Sequence, residues 1–133
     1  MKVTMISNYI NHHQIPFSNA FCNTEGVEYC FIQTEPMEEE RVKMGWGLDP
    51  KSLPYVKLVY EEEETCRQLI MESEILLVGW QEREELIKPR LDANKFTIRM
   101  SERLYREGQF KAVSPRGLMR KYREHTKYRN GNV

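Results

Sequence analysis

The run Ile75-Leu76-Leu77-Val78, closed by Gly79, constrains this chain more than any other segment. Four apolar residues in a row, ended by glycine, read as a strand buried on both faces rather than one that alternates between core and water. Such a strand needs cover on two sides, so the remaining sequence must supply helices above and below a sheet. Four further runs fit that demand. Val3 to Ser7, Tyr29 to Gln33, Val56 to Tyr60 and Phe96 to Met100 read as short strands, rich in apolar, β-branched and aromatic residues.

The intervening segments read as helices. Phe17, Ala20 and Phe21 recur at helical spacing, with Pro16 in a first turn and Asn23 to Gly26 as a stop, which predicts a helix over about 15–23. The carboxylates of Glu61 to Glu64 suit the positive end of a helix that turns Cys66, Leu69 and Ile70 inward. Gln81 to Lys88 predicts a helix with Leu86 and Ile87 inward, closing near Pro89. Ser114-Pro115 is a strong start for a last helix, which carries Leu118, Met119, Tyr122 and His125 on one face. Residues 34 to 55 carry Pro36, Gly45, Gly47, Pro50 and Pro54 and predict a surface excursion. The expectation is an α/β chain: one Rossmann-like three-layer α/β/α domain over 1–133, with a mainly parallel sheet of about five strands. Asn130-Gly131-Asn132-Val133 reads as a turn and the start of another strand, so a domain truncated at its C-terminus is expected.

A chain of 133 residues buries about two thirds of its unfolded surface, so neither a metal nor a disulfide is needed for stability. Twenty basic and twenty acidic residues cancel, which removes the overall positive field that drives nucleic-acid binding. Cys22, Cys30 and Cys66 are odd in number and lack Cys-x-x-Cys spacing, so a disulfide framework or zinc site has no support and a reducing, cytoplasmic interior is expected. The opening apolar run breaks at Asn8, too short for a signal peptide, and no later run approaches the ~20 residues of a membrane span. Charge is nevertheless uneven. Residues 35 to 74 hold eleven acidic and five basic side chains, whereas 111 to 133 hold seven basic and one acidic, so the last helix is basic. That run reads either as a solvated face or as an anion or membrane contact.

In an open parallel sheet, ligands bind beyond the carboxyl ends of the strands. Those ends are Ser7 to Gln14, Gln33 to Glu35, Gly79-Trp80-Gln81 and Ser101-Glu102-Arg103. They gather hydroxyls, amides, imidazoles, a carboxylate and a guanidinium. No Gly-x-Gly-x-x-Gly or Walker loop occurs among them, so a dinucleotide or triphosphate fingerprint is missing.

The run Ile6-Ser7-Asn8-Tyr9-Ile10-Asn11-His12-His13-Gln14-Ile15-Pro16-Phe17, with Ser101-Glu102-Arg103-Leu104-Tyr105 and the later helix, resembles the N-terminal half of bacterial glycosyltransferases of the GT-B type. These pair two facing Rossmann-like domains and are related to the family 4, or group 1, retaining enzymes of surface polysaccharide biosynthesis. The resemblance implies that this half shapes the acceptor site, for a glycan or lipid-linked acceptor. A C-terminal Rossmann-like domain, which this sequence lacks, would hold the nucleotide-sugar donor. It implies no cofactor bound by this domain, no metal, inactivity of the chain alone, and a cytoplasmic location that extends to the inner face of the membrane through a peripheral contact.

Glycosyl transfer needs the acceptor hydroxyl positioned and the charge on the departing phosphate neutralised. His12, His13 and Arg103 offer donors, and one imidazole can exchange a proton near neutral pH. His12, His13 and Glu102 are the candidate catalytic residues; Asn8, Gln14, Trp80, Gln81 and Arg103 are the candidate substrate-binding residues. Structural readings stand beside these. The imidazoles can instead cap the following helix or face water, and adjacent histidines rarely share a pocket. Glu102 can be a first-turn carboxylate, Trp80 can stack on a sugar or seal the core or an interface, and Trp46 can be a lid or a packing anchor. His125 reads as a structural histidine. A non-catalytic doubly wound binding module, recognising a partner through the acidic middle or the basic last helix, is the alternative function. A phosphate-handling enzyme is a third, disfavoured by the missing cradle.

Overall fold

The computed structural model describes residues 1–100 and 114–126. Five strands, β1 (Lys2–Ser7), β2 (Glu28–Gln33), β3 (Val56–Leu58), β4 (Ile75–Val78) and β5 (Thr97–Arg99), form one sheet in the order β3-β2-β1-β4-β5. Every pairing is parallel, with Ile6 opposite Ile32 on one side and Val78 on the other. Alternation along β1 explains the two-sided cover. Val3 and Met5 pack with Tyr29, Phe31 and Leu77 beneath Ile15 and Phe21 of α1 (Gln14–Cys22). Ile6 packs with Ile32, Leu76 and Val78 against Cys66 and Ile70 of α3 (Val59–Glu72) and Leu86 and Ile87 of α4 (Glu84–Asp92). The domain is therefore a Rossmann-like α/β fold with helices on both faces, as the alternating runs predict. Burial pushes the thiols of Cys30 and Cys66 up to about 12, so both stay protonated in the fold.

Several boundaries differ from expectation, among them the start of α4, expected at Gln81, which falls at Glu84 and leaves Gln81 in the loop before it. The third strand stops at Leu58, because β2 ends at Gln33 and leaves nothing to pair with beyond it. Val59 and Tyr60 open α3 instead, and the helical run kinks at Glu62. The helix expected to close near Pro89 runs through it to Asp92. Proline there removes one N–H and frees the Glu85 carbonyl four residues earlier, which accepts from Arg67 Nη1 at 3.4 Å. The excursion over 34–55 is not wholly irregular, since it holds short helical turns at α2 (Glu39–Arg41), Val42–Trp46 and Pro50–Ser52. The last helix, α5 (Pro115–Thr126), starts as predicted, with Ser114 Oγ accepting from the Gly117 N–H at 3.1 Å. Its apolar face is exposed, and the side chain of His125 lies outside the described residues.

One buried charge ties the layers together. Arg90 of α4 is fully buried, yet its guanidinium meets no carboxylate among its partners. Nη1 donates to the carbonyls of Ile70 and Ser73, Nη2 to those of Glu74 and Phe96, and Nε to Thr97 Oγ1. All five N–H bonds are thus spent on the C-terminal end of α3, the turn into β4 and the start of β5. Carbonyls at a helix C-terminus carry partial negative charge, which offsets part of the desolvation that pushes this guanidinium below its ordinary value. Arg90→Ala is expected to cost about 3–5 kcal/mol in denaturant unfolding, because it takes a donor from four carbonyls, those of Ile70 and Ser73 in buried bonds. Arg90→Lys should recover only part of that, since a single ammonium cannot reach both ends of the fork. Equal stability of Arg90→Ala and the parent chain would contradict this role.

Candidate functional site

The strand order places β1 and β4 side by side while the chain leaves them in opposite directions, toward β2 and toward β5. The crevice beyond their carboxyl ends is the topological switch point of the sheet, where such folds bind ligands. Its floor is stitched by backbone. Gly79 N–H donates to the Ile6 carbonyl at 2.8 Å, and Asn8 N–H donates to the Trp80 carbonyl. Ser7 Oγ adds a bond to the same Trp80 carbonyl at 3.0 Å. The two chains run so close here that a Cβ on Gly79 would stand 2.9 Å from Ser7 Oγ and 3.2 Å from Ser7 Cβ.

The Asn11-His12-His13-Gln14 segment turns out to be a helix start. Asn11 Oδ1 accepts from the N–H groups of His13 and Gln14, while Gln14 Oε1 accepts from the Asn11 N–H at 3.1 Å. This reciprocal pair is the capping-box arrangement, built on Asn and Gln three residues apart. Gln14 Nε2 also reaches Ser7 Oγ at 3.5 Å, so the Gln14 side chain holds the loop against the sheet. Capping by Asn11 leaves the imidazoles free of that duty. His12 and His13 are both exposed, and their rings lie 3.9 Å apart, contrary to the expectation that adjacent histidines diverge. A tight turn at 11–14 brings them to one side.

Trp46 meets His12 edge-on at 5.0 Å, and Arg41 lies over both the Trp46 and Tyr9 rings, at 5.5 and 5.7 Å. The excursion is thus packed onto the β1–α1 loop, which makes Trp46 an anchor rather than a detached lid. Arg41 escapes a reading of the sequence because nothing in its local pattern signals a contact with Tyr9. On the other side of the crevice Trp80 is 71% exposed, which excludes the core-sealing reading. Gln81 beside it is only 9% exposed, and neither its Oε1 nor its Nε2 has a hydrogen-bond partner. A buried amide lacking both partners costs free energy that a ligand bearing a donor and an acceptor would return. Asn8 contributes Oδ1, which accepts from Ser7 Oγ at 3.4 Å.

Asn8, His12, His13 and Gln14 thus lie together on the β1 side of the crevice, and Trp80 and Gln81 on the β4 side. Glu102 and Arg103 lie outside the described residues. Their approach is fixed only as far as Met100, whose N–H donates to the Val78 carbonyl at the same sheet edge. β5 is two strands from β1, about 10 Å away. Among the described residues no group of three His, Cys, Asp or Glu side chains is placed to hold a metal ion. Comparison with protein-family models, curated proteins and solved structures found no match for this chain.

Gly79→Ala is expected to destabilise the chain by about 1–3 kcal/mol, since its methyl group meets Ser7 rather than open space. Adding Ser7→Gly should return part of that loss, and denaturant unfolding of the double variant measures the coupling. Simple additivity of the two changes would mean that the strands separate freely at this point.

Proposed function

We propose that this chain is the acceptor-side domain of a glycosyltransferase, with its binding surface at the crevice between β1 and β4. The observation that carries the reading is the buried, unpartnered amide of Gln81 beside the exposed indole of Trp80. A sugar ring suits that pair, since it presents an apolar C–H face for stacking and a rim of hydroxyls that both donate and accept. The resemblance of the 6–17 segment to GT-B glycosyltransferases supplies the reaction class. On this reading His12 and His13 orient the acceptor hydroxyl or offer donors to the leaving phosphate, and Glu102 and Arg103, which lie outside the described residues, are further candidates from the sequence. Asn8 lines the floor, and Gln14 keeps the histidine loop in place. The nucleotide-sugar donor is held by a second Rossmann-like domain, and transfer takes place in the cleft between the two. The acceptor is a glycan or lipid-linked sugar of surface polysaccharide biosynthesis.

The test is calorimetric titration of the chain with neutral oligosaccharides and, separately, with nucleotides and nucleotide-sugars. Oligosaccharide binding is expected, with little nucleotide affinity. Trp80→Ala and Gln81→Met should each weaken it about tenfold, and Gln81→Met should at the same time stabilise the fold by about 1 kcal/mol, because it removes an orphaned amide. Nucleotide binding tighter than oligosaccharide binding would replace the proposal with the phosphate-handling reading.

A further inference from the structure

We propose that Tyr60 is a second contact for the saccharide, a hydrogen-bond donor on the opposite flank of the β1–α1 loop from Trp80, so that the crevice takes a chain of sugar rings rather than a single one. The inference rests on the saccharide-binding reading above and extends it to the length of the ligand. It starts from Gln33, the last residue of β2, whose buried side chain is bonded at both ends. Oε1 accepts from the Ile10 N–H at 3.1 Å, and Nε2 donates to the Tyr60 hydroxyl at 3.2 Å. A backbone N–H can only donate, so it fixes which end of the amide is oxygen, and the nitrogen must face Tyr60. The Tyr60 oxygen is therefore an acceptor on its inner side, and its own proton is left to be given elsewhere. Among the described residues no group takes that proton. Burial pushes the Tyr60 phenol above its ordinary value, so the proton is held throughout the neutral range.

Strand order puts this donor at the rim already described. β2 and β4 flank β1 on opposite sides, and the exit of β2 is stitched to that of β1. The Thr34 N–H donates to the Ser7 and Asn8 carbonyls and the Glu35 N–H to the Asn8 carbonyl, each at 3.0 Å. Tyr60, which is 46% exposed, thus stands one amide away from the loop that carries His12 and His13. Across β1, β2 and β4 are about 10 Å apart, which is wider than one pyranose ring. A ligand that stacks on Trp80 and also accepts from Tyr60 therefore needs more than one ring. The surroundings of Tyr60 favour a neutral oxygen as its acceptor. Lys51 and Glu61, the charges beside it, neutralise each other at 2.7 Å and leave no positive field for a carboxylate or phosphate. Because the ligand takes the proton and not the lone pair used by Gln33, both Gln33 bonds persist in the bound state.

The experiment is calorimetric titration of the full chain with the disaccharide, tetrasaccharide and hexasaccharide of the malto and cello series. Affinity is expected to rise about tenfold from disaccharide to tetrasaccharide and then to level off. Tyr60→Phe should remove about fivefold of that gain while leaving the disaccharide, held at the Trp80 end, unaffected. Trp80→Ala should weaken every length. Gln33→Glu, ionised at mildly alkaline pH, accepts from both Ile10 and Tyr60 and so turns the Tyr60 proton inward. It should lose the gain as Tyr60→Phe does although the hydroxyl is still present, a result that a merely structural role for Tyr60 would not produce. Far-ultraviolet circular dichroism confirms that each variant remains folded. A parent chain that binds all lengths equally overturns this inference and leaves Trp80 and Gln81 as the site. So does a Tyr60→Phe variant that keeps the full length dependence or weakens disaccharide and tetrasaccharide alike. Absence of binding by every one of these saccharides overturns it together with the reading beneath it.

Discussion

The close approach of Ser7 and Gly79 is the constraint on which the architecture of the site depends. Parallel strands in adjacent positions normally separate into their own loops once the ladder ends. Here the absence of a side chain at Gly79 lets the ladder continue one step further, through Gly79 to Ile6 and Asn8 to Trp80, before the chains part. The result is a rigid floor, with Ser7 Oγ bonded to Trp80 and reached by Gln14 from above. Side chains that flank this floor therefore stand on backbone fixed by the sheet rather than on independent loops, which is what positioning of a ligand requires.

The opposite end of the sheet is held by a different device. Arg90 gathers the end of α3, the entry to β4 and the entry to β5 through five hydrogen bonds to neutral oxygens. Burying a cation without a carboxylate is tolerable because every N–H is satisfied and the helix C-terminus presents its negative end. The amino edge of the sheet is thus saturated, whereas the carboxyl edge retains an amide at Gln81 with neither partner. On the proposed reading, that asymmetry separates an edge built for stability from one with binding capacity left over.

Much of this fold was legible in the sequence because its signals are local. The tetrad Ile75 to Val78, the alternation at 97–99 and the Ser114-Pro115 cap each announce an element without reference to the rest of the chain. Pro89 misled because its cost depends on whether a neighbour can take the freed carbonyl, and Arg67 is twenty-two residues away in sequence. Arg90 was invisible for the same reason, as nothing in its surroundings marks a surface-type residue for complete burial. At the site, the strand ends identified the rim where Asn8 to Gln14 and Trp80-Gln81 meet, but the roles within it were redistributed by packing. The Asn11–Gln14 spacing encodes a helix cap, the paired imidazoles result from that turn, and the exposure of Trp80 beside the burial of Gln81 emerges only in three dimensions.

The central claim is that the Gln81 amide is kept unpartnered for a polar ligand in the β1–β4 crevice. Its side-chain NH₂ resonances, followed by nitrogen-15 NMR during titration with a neutral oligosaccharide, test it most directly. The account predicts that the Gln81 pair shifts saturably, while the amide of Gln33, already engaged by the Ile10 N–H and the Tyr60 hydroxyl, stays in place. A Gln81 signal that does not move while resonances elsewhere in the chain saturate would contradict it.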